Sequence, residues 1–146
     1  MIRIFLDANI FFAGCVSKEG ASAFVLDLAK RKQIEVITSK LVLREADRNL
    51  RRKTPPNILK TFHRFLQQTK IHVVLTPLEK ALEPFEEMVH PKDLPVFGAA
   101  VASESDFFLT LDRKHFLSSG LAAKIKKPRI LSPSDFLRDI YLKGKI

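Results

Sequence analysis

The chain has no tryptophan, one tyrosine and one cysteine in 146 residues. The lone Cys15 excludes an intramolecular disulfide and suits a reducing, cytoplasmic compartment. It has no Cys or His neighbours at zinc-binding spacing, so it reads as a small core or surface residue. No apolar run is long enough to span a bilayer, which excludes a membrane protein of the helical kind. Met1 to Cys15 superficially resembles a short signal peptide, but Asp7 and Asn9 interrupt its apolar stretch and Arg3 is its only basic start. Internal repeats, low-complexity tracts and linkers are also missing, so residues 1–146 are expected to form one domain. The aromatic residues are almost all Phe, twelve beside the one Tyr. Phe at helical spacing packs cores far more often than it stacks on bases, so no base-reading surface is assigned. Phe62 and Phe65, if exposed, would mark a partner or dimer interface. The four His residues (His63, His72, His90 and His115) are scattered, and surface or turn positions are expected for most. His115 is close in sequence to Asp112 but receives no role.

Acidic residues are in deficit, 16 against 25 Lys and Arg, for a net charge of +9. That balance serves solubility or a polyanionic partner, either nucleic acid or an acidic surface. Arg44, Arg48, Arg51, Arg52 and Lys53 share one predicted helix, and Lys124, Lys126, Lys127 and Arg129 form a second cluster. Such residues are either a solvated face or an RNA-binding one; phosphate contacts would make binding fall steeply with salt.

What is present is organised around Met1 to Gly14. Ile2, Ile4, Phe5 and Leu6 predict a strand buried on both faces, as in a parallel sheet, ending abruptly at Asp7-Ala8-Asn9. A carboxylate at the tip of a buried strand is costly unless it is paired, hydrogen-bonded or holding a cation. Gly14 to Gly20 reads as a loop. Helices are expected over about Ser22–Lys32, from a Ser39 cap to Arg51-Arg52-Lys53, around Ile58–Leu66, and over Leu94–Ser103. A weaker helix over about Leu78–Val89 is expected to break or kink at Pro84. Strands are expected over Ile34–Thr38, Ile71–Leu75, Phe107–Thr110 and Arg129–Leu131, with a helical turn at Asp112–Phe116 and a final helix after Ser132 and Ser134. Alternating strands and helices predict an α/β fold, a mainly parallel sheet with helices on both faces.

In such a sheet the carboxyl ends of the strands and the starts of the following helices share one edge, where ligands bind. Asp7, Asp93 and Asp112 are expected on that rim, and Glu45 reaches it from inside its helix. Clustered carboxylates repel one another, and a hard divalent cation relieves that repulsion. Oxygen-only ligands suit Mg²⁺ or Mn²⁺, which can activate water against a phosphodiester. The structural alternatives are helix capping for Asp93 and Asp112, and a solvated helix position for Glu45 beside Arg44 and Arg48.

Leu6-Asp7-Ala8-Asn9-Ile10-Phe11, Leu43-Arg44-Glu45-Ala46, Asp93 before Val96-Phe97-Gly98-Ala99-Ala100, Ser105-Asp106-Phe107-Phe108-Leu109-Thr110-Leu111-Asp112 and the closing Ile130-Leu131-Ser132-Pro133-Ser134-Asp135-Phe136 together resemble the PIN domain family. The resemblance covers nearly the whole chain. It implies a PIN-like α/β/α sandwich, a metal-dependent endoribonuclease acting on RNA, and often a toxin with an antitoxin protein partner or a homodimer. Carried over, Asp7, Glu45, Asp93 and Asp112 are the catalytic, metal-binding acids; Asn9 steadies the first loop; Thr110 supports the site by hydrogen bonding; and Asp106 rivals Asp112 for the fourth place. Arg44, Arg48, Arg51, Arg52, Lys126 and Lys127 are the expected RNA-binding residues. Two other readings stand beside it. One is a non-catalytic RNA- or partner-binding module on the same fold. The other is a phosphotransfer receiver, disfavoured because paired acids beside the first strand and a Lys at the last strand's tip are not evident.

Overall fold

Ile4, Phe5 and Leu6 are completely buried and form the centre of β1 (Arg3–Leu6), the middle strand of the sheet. The computed structural model describes residues 1–146. β1 pairs in parallel with β2 (Glu35–Ser39) and β4 (Phe107–Leu109); β3 (Ile71–Val74) extends the β2 side and β5 (Arg129–Leu131) the β4 side. The order is β3-β2-β1-β4-β5, and every pairing is parallel. The sheet predicted as mainly parallel is therefore wholly parallel.

Strand alternation sends successive side chains to opposite faces. Phe5 and Phe108, directly paired in register, stack at 5.6 Å on one face, where Phe97 and Phe116 close around Phe108 at 6.4 and 4.9 Å. Phe97 belongs to α6 (Leu94–Ala102), which packs with α5 (Glu79–Leu82). Phe107 points to the other face and meets Phe136 of α8 (Pro133–Phe136). That second layer holds α1 (Ala8–Val16), α2 (Ala21–Lys30), α3 (Lys40–Lys53) and α4 (Pro56–Gln68), with α1 packed on the other three and α2 on α8. Phe62 and Phe65 of α4 are buried against Phe11 of α1. They are core residues, so the exposed interface considered for them is not there.

α1 is a helix where the sequence reading placed an apolar stretch running into a loop at Gly14. It is apolar on nearly all sides, so it lacks the periodicity that marks a surface helix. Gly14 lies inside it because α2 crosses close by; a Cβ there would overlap Leu26 Cδ1. Ser39 caps α3 as expected, its Oγ accepting from Val42 N at 3.2 Å. The helix begun at Glu79 ends at Leu82, and Pro84 sits in the single 3-10 turn that follows. A π-helical turn, Arg113–Leu117, follows Asp112, and a short α7 (Leu121–Lys124) precedes β5. Cys15 is buried, and burial pushes its thiol up to about 11, which makes it unreactive near neutral pH. No helix is long and apolar enough to cross a membrane.

Candidate metal centre

Every strand ends on the same edge of a parallel sheet, and that edge carries an open cleft of about 430 Å³. Asp7, Glu45, Asp93 and Asp112 all line it. Asp7 follows β1 directly, and its carboxylate also caps α1 by accepting from Ala8 N at 2.8 Å. Asp112 caps the π-helical turn by accepting from His115 N at 2.9 Å. Asp93 precedes α6 but makes no capping hydrogen bond. The structural job proposed for it is not done, and its carboxylate turns to the cleft instead. Glu45 is exposed on α3 and makes no ion pair with Arg44 or Arg48.

Thr110 and Asn9 organise this edge. Thr110 Oγ1 donates to Asp7 Oδ2 at 2.8 Å and accepts from Asp112 N at 3.1 Å and Asn9 Nδ2 at 3.3 Å. Asn9 Oδ1 accepts from Leu111 N at 3.0 Å, which ties the start of α1 to the segment after β4. Asp106 stands elsewhere. It precedes β4, accepts from Arg3 N at 2.8 Å and lies 3.8 Å from Lys127 Nζ. Arg3 opens β1, so Asp106 and Lys127 are at the amino edge of the sheet, opposite the cleft. Of the two rivals for a fourth acid, only Asp112 lines the cleft.

Asp7 is 8% exposed. Burial, with smaller repulsion from Glu45 and Asp93, pushes its carboxyl up to about 6 despite the opposing hydrogen bonds from Thr110 and Ala8. None of the four acids has a Lys or Arg nitrogen within 4.0 Å, in a chain with 25 of those residues. One oxygen of Asp93, Oδ2, is buried without an aligned hydrogen-bond donor. Carboxylates gathered in one cleft without Lys or Arg beside them are an electrostatic arrangement that a divalent cation relieves. The four acids share the cleft and offer the oxygen atoms such an ion takes, although no three of them bring those atoms within 4.8 Å of one another.

Of the other residues at the cleft, Lys53 belongs to the basic run read as a solvated or an RNA-binding face, whereas Asn49, Lys92 and His115 carried no role in the sequence reading. Asn49 and Lys53 line it, one and two turns beyond Glu45 on α3, so i, i+4, i+8 spacing was the available signal. Lys92 lines it beside Asp93. His115 lines it too, three residues past Asp112, with Nδ1 at 2.6 Å from Asp93 Oδ2 and 3.4 Å from Asp112 Oδ2. Arg44, Arg48, Arg51 and Arg52 are exposed on α3 but do not line the cleft, and Arg51 pairs with Asp47 at 3.1 Å.

The backbone resembles two solved structures. VapBC2 from Rickettsia felis, bound to a DNA fragment from their promoter, superposes with a TM-score of 0.62 at 16% identity, over 90% of this chain and 98% of that one. PAE2754 from Pyrobaculum aerophilum superposes with a TM-score of 0.57 at 20% identity, over 94% of this chain and 88% of that one. At such identities these likenesses speak to the fold. No curated protein matches the chain. A family model described as the PIN domain matches residues 3–114, which span β1 to the turn after β4 and include all four acids of the cleft, and this chain belongs to the PIN domain family.

Proposed function

We propose that this protein is a divalent-metal-dependent endoribonuclease that hydrolyses RNA phosphodiester bonds. One observation carries the reading: four carboxylates face a single open cleft with no Lys or Arg neutralising them. PIN domains are generally nucleases that use divalent metals, which agrees with carboxylates gathered in one cleft without Lys or Arg beside them. Asp7, Glu45, Asp93 and Asp112 would hold Mg²⁺ or Mn²⁺, hard ions that take oxygen ligands. When bound, such an ion supplies water activation and neutralises charge developing on the phosphodiester. The protein's own residues do the rest. Thr110 and the Ala8 amide hold the Asp7 carboxylate in place, and Asn9 locks the loop that presents it. Lys53 and Lys92 line the cleft without pairing with its acids, and they are suited to draw the RNA backbone in. The exposed arginines of α3 extend positive charge beyond the cleft; Lys126 and Lys127 lie toward the opposite edge and contribute less. Likeness to VapBC2 supports a further reading, that the protein is the toxin of a toxin–antitoxin pair with an antitoxin protein as partner.

The test is cleavage of structured and unstructured RNA by the purified protein with Mg²⁺, with Mn²⁺ and with chelator. Cleavage is expected with either ion and none with chelator. Salt-sensitive RNA binding without cleavage under any metal condition would instead establish a binding module. Thr110→Val should weaken ion binding by roughly 10–100-fold, since it removes the group orienting the Asp7 carboxylate. Titration calorimetry with Mn²⁺ checks this, and an unchanged affinity would mean that Thr110 has only a packing role.

A further inference from the structure

The cleft edge holds two imidazoles that the acidic chemistry leaves unused. His90 lies in the turn before α6, three residues ahead of Asp93, and His115 lies in the π-helical turn after β4. One ligand atom from each of His90, Asp93 and His115 falls within 4.8 Å of the other two. No other trio of His, Cys, Asp or Glu side chains in the molecule converges so closely, the acids Asp7, Glu45 and Asp93 included. A second observation points the same way. Asp93 Oδ2 is buried and receives no aligned hydrogen bond, although His115 Nδ1 is only 2.6 Å from it. At that distance the two form a close imidazole–carboxylate pair, and an ion entering between them must spread them to about 3.3 Å, the spacing of two ligands on a tetrahedral ion. The His90 and His115 rings stack nearly parallel, 4.6 Å apart at 6°, so both cannot meet one ion until His90 turns. That turn is cheap: His90 is exposed, and its Nδ1 accepts a single long bond from Lys92 N at 3.2 Å.

We propose that His90, Asp93 and His115 form a site for a transition-metal ion of the Zn²⁺ class, sharing Asp93 with the acidic group. Two imidazoles, one carboxylate and an open position are the donor set of borderline-soft ions. Mg²⁺ demands oxygen ligands and gives up water reluctantly, so it is excluded from this trio. An ion held here draws Asp93 away from the other three acids. Zn²⁺ therefore opposes cleavage supported by Mg²⁺. This regulatory half rests on the nuclease reading; the metal site itself does not.

The experiment titrates metal-free full-length protein with Co²⁺, a visible-absorbing probe of zinc-type sites. The natural protein, Asp7→Asn and His90→Ala are compared, with thermal melts confirming that each is folded. The same intense visible Co²⁺ bands are expected in the first two, any Co²⁺ taken by the oxygen ligands of the acids adding only weak absorption. Losing even an outer partner of a metal ligand costs about 10–100-fold in affinity, so His90→Ala should bind at least roughly tenfold more weakly. His115→Gln serves as the second ligand variant. Equal affinity and spectra in His90→Ala and the natural protein would overturn the site, as would loss of binding in Asp7→Asn alone. In RNA cleavage with Mg²⁺, His90→Ala should need at least tenfold more Zn²⁺ for half-inhibition. Unchanged Zn²⁺ sensitivity would overturn the regulatory half. Absence of any cleavage would overturn the nuclease reading and with it that half, while the Co²⁺ titration would still decide the site.

Discussion

Asp7→Asn should abolish metal-dependent RNA cleavage and, in chelator, melt at a higher temperature than the natural protein near neutral pH. Burial raises the Asp7 carboxyl from its usual 3.8 to about 6, so its ionised form is disfavoured in the fold. A group whose pKa is raised on folding contributes stability that is complete below its unfolded value and is lost as pH rises through its folded value. Here the loss falls between about pH 4 and pH 7, and the shift corresponds to roughly 3 kcal/mol. Asn cannot ionise. It keeps an oxygen for the Ala8 amide but disturbs the donation from Thr110, so part of the gain is cancelled. For a chain of this size the expected increase is on the order of 5–10 °C at about pH 7.5, shrinking toward zero near pH 4.5. Adding Mn²⁺ should stabilise the natural protein and leave Asp7→Asn nearly unmoved, because ligand binding to the folded state alone raises stability. Thermal melts across pH, with and without ion, measure all of this. An Asn variant that melts lower than the natural protein at neutral pH would show that Asp7 is structurally satisfied and is not waiting for a cation.

Phe108→Ala carries the largest expected stability loss. Its ring is fully buried at the centre of the sheet, in contact with Phe5 at 5.6 Å, Phe97 at 6.4 Å and Phe116 at 4.9 Å. Removing it should cost about 3–5 kcal/mol, from lost transfer energy and a cavity that rigid β-strands cannot close. Against a total stability of about 5–15 kcal/mol this leaves a barely folded protein. Urea unfolding measures it, with a midpoint shift on the order of 1–3 M. Phe108→Leu, which refills most of the space, should shift it far less. A loss below about 1 kcal/mol for Phe108→Ala would mean that the two layers repack around the gap.

The strands were readable because each is short, apolar and bounded by a polar or turn residue, as Phe5-Leu6-Asp7 and Leu109-Thr110-Leu111 show. α3 was equally plain: it has a Ser cap, one apolar stripe at Val42, Ala46 and Leu50, and basic residues in its last turn. α1 escaped detection because burial on nearly all sides erases the periodic signal, and Gly14 reads as a breaker when no neighbour is visible. At the candidate site, the four acids were nameable from their positions after strands (Asp7 and Asp112), just before α6 (Asp93) or on α3 (Glu45). Their partners were not. His90 and His115 are 25 positions apart and acquire a shared neighbour, Asp93, only when the turn before α6 meets the turn after β4.

Local pattern and composition were enough for the α/β class, the positions of the four acids and the demand for a positive counter-charge near them. Each of those follows from short local patterns read in order along the chain, together with the rule that the strand ends of a parallel sheet share one edge. Which of Asp106 and Asp112 reaches the cleft, which basic residues stand there, and that two imidazoles crowd Asp93 emerged from folding alone. Asp106 and Asp112 are near neighbours in the chain, yet β4 carries them to opposite edges of the sheet, because a strand advances about 3.3 Å per residue.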